Sequence, residues 1–157
     1  MNKMKNIFIM LVICFGVSTP VLAQNDETNV HLNSRILKNL GHGEGDIKTA
    51  SKNQWELKDG TTIYSSIPYG QDIYGYQDCT PMFIAIKNGL VTSVAPGPNK
   101  ETASYWIYLE EEHLFDSWNG LTIKQAELLD VDAVSGATYS STSVINTVRA
   151  TLKGIEK

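Results

Sequence analysis

The sequence predicts an α+β fold, a mainly antiparallel sheet covered by helices in a single small domain. Two pairs of short alternating segments are each joined by a turn dipeptide, Asp59-Gly60 and Asn88-Gly89, which is the strongest short-range signal of a hairpin. Apolar residues recur at helical spacing near both ends of the chain. Strands do not alternate with long helices and no repeat is visible, so a parallel doubly wound sheet is not indicated. A length of 157 residues fits one domain.

Residues 1–23 read as a signal peptide. Lys3 and Lys5 form a basic start, Ile7 to Val17 an apolar run, and Val21-Leu22-Ala23 a small-residue cleavage site before Gln24. The run is too short for a stable membrane span. Cleavage after Ala23 and export to the periplasm or cell exterior are therefore expected. Left uncleaved, the segment would hold the domain at the outer face of the inner membrane. Cys14 lacks the small residues that a lipoprotein signal places ahead of its cysteine, so no lipid anchor is expected there.

Residues 24–53 read as a helical and flexible N-terminal segment. Val30, Leu32, Ile36, Leu37 and Leu40 form a weak helical stripe that Gly41 ends. The run Gly41-His42-Gly43-Glu44-Gly45 predicts a flexible linker. His42 and Glu44 are too few ligands, too loosely held, for a metal site, and His31 and His113 stand alone; no metal is expected.

The domain proper spans 54–157. Gln54 to Leu57 and Thr61 to Ser66 form the first hairpin, Pro81 to Lys87 and Leu90 to Val94 the second, and Pro96-Gly97-Pro98-Asn99 breaks the last strand. Cys79 is expected as a small buried hydrophobe in a strand. A helix is predicted from Glu101 to Asp116, with the stripe Tyr105, Trp106, Tyr108, Leu109, Leu114, Phe115 and Trp118 mostly buried. Glu110-Glu111-Glu112 reads as a solvated face. Thr122 is expected to cap a short helix over Ile123 to Leu129. Val144, Ile145, Val148 and Leu152 mark a last helix, with Gly154 as its stop.

Composition excludes several functions. The full chain carries a net charge of −4, and without the two leader lysines it has 11 basic against 17 acidic residues, a net of −6. An acidic balance without a basic cluster argues against nucleic acid or anionic membrane surfaces as partners. Cys79 is then the single thiol and cannot form an intramolecular disulfide. The absence of clustered cysteines argues against covalent haem and iron–sulfur centres.

The informative stretch is Asp132-Ala133-Val134-Ser135-Gly136-Ala137-Thr138-Tyr139-Ser140-Ser141-Thr142. Small residues and hydroxyls are delivered onto a helix start, where free backbone N–H groups and the positive end of the helix dipole suit a phosphate. Gly136 and Ala137 permit close backbone approach, and Thr138 offers a nucleophilic oxygen. The plain alternative is a turn and an N-cap, with Ser140, Ser141 and Thr142 capping and Gly136 at positive φ.

Asp132 to Thr138 resembles the Asp-x-x-(Ser/Thr)-Gly-Ala-Thr motif of FMN-binding domains similar to the C subunit of the sodium-translocating NADH:quinone reductase and the G subunit of the Rnf complex. The resemblance covers roughly the last half of the chain. It includes Gly75-Tyr76, the hairpin through Asn88-Gly89, and Glu101-Thr102, after which Ala103 and Ser104 replace the family's Pro and Gly. It implies that residues 54–157 are an FMN-binding domain with FMN on Thr138 as a phosphoester, installed from FAD by a flavin transferase. It further implies that Asp132 is read by the transferase, and that backbone N–H groups of Ala137 to Ser141 with the hydroxyls of Ser135, Ser140 and Ser141 hold the phosphate. Glu101 and Thr102 would contact the ring or its ribityl chain, or begin a helix, or both; Tyr76 and Tyr139 are the best-placed aromatic neighbours.

The function expected from this is an exported electron-transfer flavoprotein exchanging electrons with a membrane or exported redox protein. Two other classes stay open: a flavin-dependent reductase of a small extracellular acceptor, and a flavin-free binding module with a vestigial motif.

Overall fold

The structure, a computed structural model, describes residues 31–156. The predicted signal peptide and its cleavage site lie outside the described residues. Five strands form one antiparallel meander in chain order: β1 (Ile47–Ala50), β2 (Gln54–Leu57), β3 (Thr62–Ser65), β4 (Met82–Lys87) and β5 (Leu90–Pro96). Helices cover both faces, which is the expected α+β architecture.

Strand β4 shows why the sheet is central. Its residues 82–86 are all buried, and side chains alternate across a strand. Met82, Ile84 and Ile86 face one core with Val91, Val94, Leu109, Trp118, Val144, Val148 and Leu152. Phe83 and Ala85 face the second core with Ile36, Leu37, Leu40, Trp55, Leu57 and Ile63. The turn Asn88-Gly89 has both φ angles positive, 52° and 76°, as a two-residue hairpin requires. A register shift between Ala85 and Ile86 displaces the pairing, so Ala85 meets Ser93 while Ile86 meets Val91. The extra residue lets Val91 and Val94, three apart, join the same core.

Residues 31–53 of the N-terminal segment are more ordered than their composition suggests. Helix α1 (Ser34–Asn39) is capped by Asn33, whose side chain accepts from the Ile36 N–H. It closes at Gly41 with φ of 85°. The His42 N–H donates to the Leu37 carbonyl and the Gly41 N–H to the Lys38 carbonyl, the paired bonds of a glycine-terminated helix. The glycine run predicted as a linker contains a single 3-10 turn over Glu44–Asp46. In it the Gly43 N–H donates to the Asp46 carboxylate at 2.8 Å. It leads directly into β1, an edge strand paired with β2 that no apolar alternation signals.

Between β3 and β4 the chain forms the short helix α2 (Ile67–Gly70) and a loop closed by a bridge between Tyr74 and Cys79. Cys79 is thus half-buried in a loop rather than packed in a strand. The helix expected over 101–116 is divided. Helix α3 (Ala103–Glu111) ends before His113, which takes left-handed φ of 53°, and Leu114–Asp116 follows as a 3-10 turn. Leu109, Leu114 and Trp118 are buried as expected, whereas Tyr108 is 46% exposed and Tyr105, Trp106 and Phe115 only partly covered. Helix α4 (Ile123–Leu128) starts at Thr122 with reciprocal bonds to Gln125, the expected capping arrangement.

Helix α5 (Thr138–Ile155) crosses one face of the sheet and buries Val144, Val148 and Leu152 completely. Two details differ from expectation. The helix starts at Thr138, so Ser140, Ser141 and Thr142 lie inside its first turns and are not caps. It also runs through Gly154 instead of stopping there. A methyl group at Gly154 would fall 2.2 Å from the Tyr69 ring, so this glycine serves the close packing of α2 on α5.

Candidate functional site

The site forms where three pieces of chain meet: the loop 131–137 with the start of α5, the loop 75–78, and one face of α3. The first piece is shaped by Gly136, whose φ of 83° turns the backbone through a region that residues with a Cβ rarely adopt. The Ala137 N–H closes the turn on the Val134 carbonyl at 3.1 Å. Ser141 ties the turn to the helix: its hydroxyl accepts from the Val134 N–H at 2.9 Å and donates to the Ala137 carbonyl at 3.0 Å.

At the start of α5 no side chain caps the helix. The Ser141 N–H bonds the Ala137 carbonyl at 2.9 Å, which leaves the N–H groups of Thr138, Tyr139 and Ser140 without an intrahelical acceptor. Thr138 itself is exposed, and so are Asp132, Ser135 and Gly136. An exposed hydroxyl therefore stands at the positive end of an 18-residue helix.

Glu101 joins the second piece to the first. It is 9% exposed and precedes α3, whose N-cap is Thr102. Its carboxylate accepts from the N–H groups of Tyr76 at 3.2 Å and Gln77 at 2.9 Å. The Asp78 N–H lies at 3.5 Å, and the Ser140 hydroxyl donates to Oε2 of the same carboxylate. Burial raises the carboxyl pKa, but the donated bonds, led by the Gln77 N–H and the Ser140 hydroxyl, outweigh it and hold Glu101 below the usual carboxylate range. Next to it, Lys100 pairs with Asp78 at 2.7 Å.

Aromatic rings surround this junction. Tyr76 packs edge-on against Tyr105 with ring centres 5.7 Å apart. Tyr108, one helical turn further along α3, comes near Gly136: a methyl group there would lie 3.8 Å from its ring. Tyr76 and Tyr139 are 55% and 75% exposed. A groove of about 460 Å³ is walled by Glu112, Leu114 and Ser117 and by residues 131–135 of the same loop.

The structure therefore gathers Asp132, Ser135, Gly136, Ala137, Thr138, Tyr139, Ser140, Ser141, Glu101, Thr102 and Tyr76 around one junction, in different roles. Ser140 and Ser141 are fully buried, and each hydroxyl proton is already donated within the protein. In this arrangement they do not offer a donor to a phosphate, contrary to expectation; the unpaired N–H groups of the first helical turn do. Likewise both oxygens of Glu101 are engaged by protein donors. Of the stripe expected to be mostly buried, Tyr105 packs partly on the core and meets Tyr76, while Tyr108 is exposed beside Gly136. Their spacing of three along α3, immediately after Glu101-Thr102, is the signal that marks them as one face.

Residues 75–153, just over half of the chain, match the family model of the FMN-binding domain. No curated protein matches the sequence.

Proposed function

This chain belongs to the FMN-binding domain family, and from that premise we propose that it is an exported electron carrier holding FMN as a phosphoester on Thr138. The observation that carries the reading is the exposed Thr138 at the first position of an uncapped helix, two residues after a glycine in left-handed conformation. The residues present fit the group. Three unpaired backbone N–H groups and the helix dipole suit a phosphate monoanion, and the exposed faces of Tyr76, Tyr108 and Tyr139 suit a flat conjugated ring.

When bound, the flavin supplies reversible electron transfer. The chain supplies position. Gly136 and Ala137 bring backbone close to the phosphate, Ser141 holds that turn on the helix, and the tyrosines limit where a ring can lie. Burial and then the neighbouring Asp78 charge push the Cys79 thiol pKa up, which disfavours its thiolate.

A covalent tether suits export, since dissociable FMN would be lost by dilution outside the cytoplasm. The partners are a flavin transferase, which installs the group from FAD, and a membrane or exported redox protein. The test is the intact mass of the protein produced with and without an active transferase in the export compartment. A gain of one FMN less one water, absent from Thr138→Ala, is expected. An unmodified mass under both conditions would overturn the reading.

A further inference from the structure

We propose that Glu101 is a positioning residue for the flavin site, latching the Tyr76 loop onto the first turn of α5 so that the Tyr76 ring borders a flavin held on Thr138. The inference rests on the reading of Thr138 as the attachment residue. It assigns Glu101 no contact with the flavin itself.

Four observations carry it. Glu101 is nine-tenths buried, and no Lys, Arg or His among the described residues lies within ion-pairing distance of its carboxylate. A buried anion without a cation persists only where hydrogen bonds satisfy it. The donors are the N–H groups of Tyr76, Gln77 and Asp78 and the Ser140 hydroxyl. Four donors converging on one side chain require an acceptor with two oxygens and no hydrogen of its own, which only an ionised carboxylate provides; Gln would turn an NH₂ toward them. Gly75 has no room for a side chain, because a methyl group would fall 2.6 Å from Glu101 Oε1.

The contacts also reach α3. From Ser140 they pass to Glu101, to the Tyr76 backbone, and through the Tyr76 ring to Tyr105. Tyr108, on the same face of α3, comes near Gly136, where a methyl group would lie 3.8 Å from its ring. The Tyr76 ring that the latch holds thus stands among the aromatic residues beside the attachment loop.

The experiment uses Glu101→Gln, Ser140→Ala and Gly75→Ala, with Ile63→Val as a control in the opposite core. Amide exchange at residues 76–78 is measured in the flavin-free protein, and flavin fluorescence and visible circular dichroism in the modified protein. Exchange at 76–78 should speed up several-fold in all three site variants and not in the control. Flavin fluorescence, quenched in the wild type by the adjacent tyrosine, should rise several-fold, and Tyr76→Ala should reproduce that rise. Gly75→Ala displaces the latch without removing its charge and Ser140→Ala removes one arm only, so the test survives misfolding of Glu101→Gln. Modified variants with loosened loops and wild-type fluorescence would overturn the role of Glu101. A wild type that never gains flavin mass would overturn the underlying attachment reading, and the latch's part in it.

Discussion

The Ser140 hydroxyl donates to the Glu101 carboxylate across 39 residues of sequence, joining the first turn of α5 to the residue that precedes α3. The same carboxylate accepts backbone N–H groups of the Tyr76 loop. Because its pKa is lowered in the folded protein, the unfolded chain takes up the proton first as pH falls. The stability that Glu101 supplies is thus complete above the ordinary glutamate value of about 4.3 and is lost as pH falls through the lower folded value. Glu101→Gln should cost about 1–3 kcal/mol at neutral pH, and the gap to wild type should shrink in acid. Asp78, held low by Lys100, titrates in the same acidic direction; both proteins share it, so it cancels from the difference. Urea denaturation at a series of pH values measures the gap, and a gap constant into acid would contradict the assignment.

Ser141 is the second tie at the site. Ser141→Ala leaves the Val134 N–H without its acceptor, and an unsatisfied buried donor costs about 1–3 kcal/mol. Thr142, adjacent and exposed, should change stability by less than about 0.5 kcal/mol when replaced by Ala. Equal effects for the two variants in chemical denaturation would show that the Ser141 hydroxyl does not hold the turn.

These bonds mark the limit of what the sequence discloses. The hairpins were legible because their turns are local: Asp59-Gly60 and Asn88-Gly89 provide the positive φ the geometry needs. Strand β1 was not, because three of its four residues are exposed and the apolar alternation of a half-buried strand is absent. The start of α5 was misplaced for a related reason. Ser140 and Ser141 are typical capping residues by type, and only their distant or buried partners show that they lie inside the helix. The motif disclosed Thr138 and Gly136. It did not disclose that Glu101 bonds residues 25 and 39 positions away.

Gly154 tests the packing of α2 on α5. In an open helix interior, Ala in place of Gly stabilises by about 1 kcal/mol. Here the added methyl would lie 2.2 Å from Tyr69 Cδ1 and 3.0 Å from its Cγ, so the ring must leave its place. Overpacking of this kind costs about 1–3 kcal/mol. Gly154→Ala should lower the thermal midpoint, and in a Tyr69→Ala background the same substitution should raise it. A gain in both backgrounds would mean that the ring moves aside freely.

Gly136 separates strain from space. A methyl group there meets nothing closer than the Tyr108 ring at 3.8 Å, yet the φ of 83° remains unfavourable for any residue with a Cβ. Gly136→Ala should therefore cost about 1–2 kcal/mol through backbone strain alone, and Gly136→Asn less, because Asn tolerates the left-handed region. If the chain relieves the strain by rotating out of that region, the Ala137 and Thr138 backbone turns with it. The yield of flavin-modified protein by intact mass should then fall for Gly136→Ala and recover in part for Gly136→Asn. Stability lost without loss of modification would show that the left-handed turn serves the fold and not the presentation of Thr138.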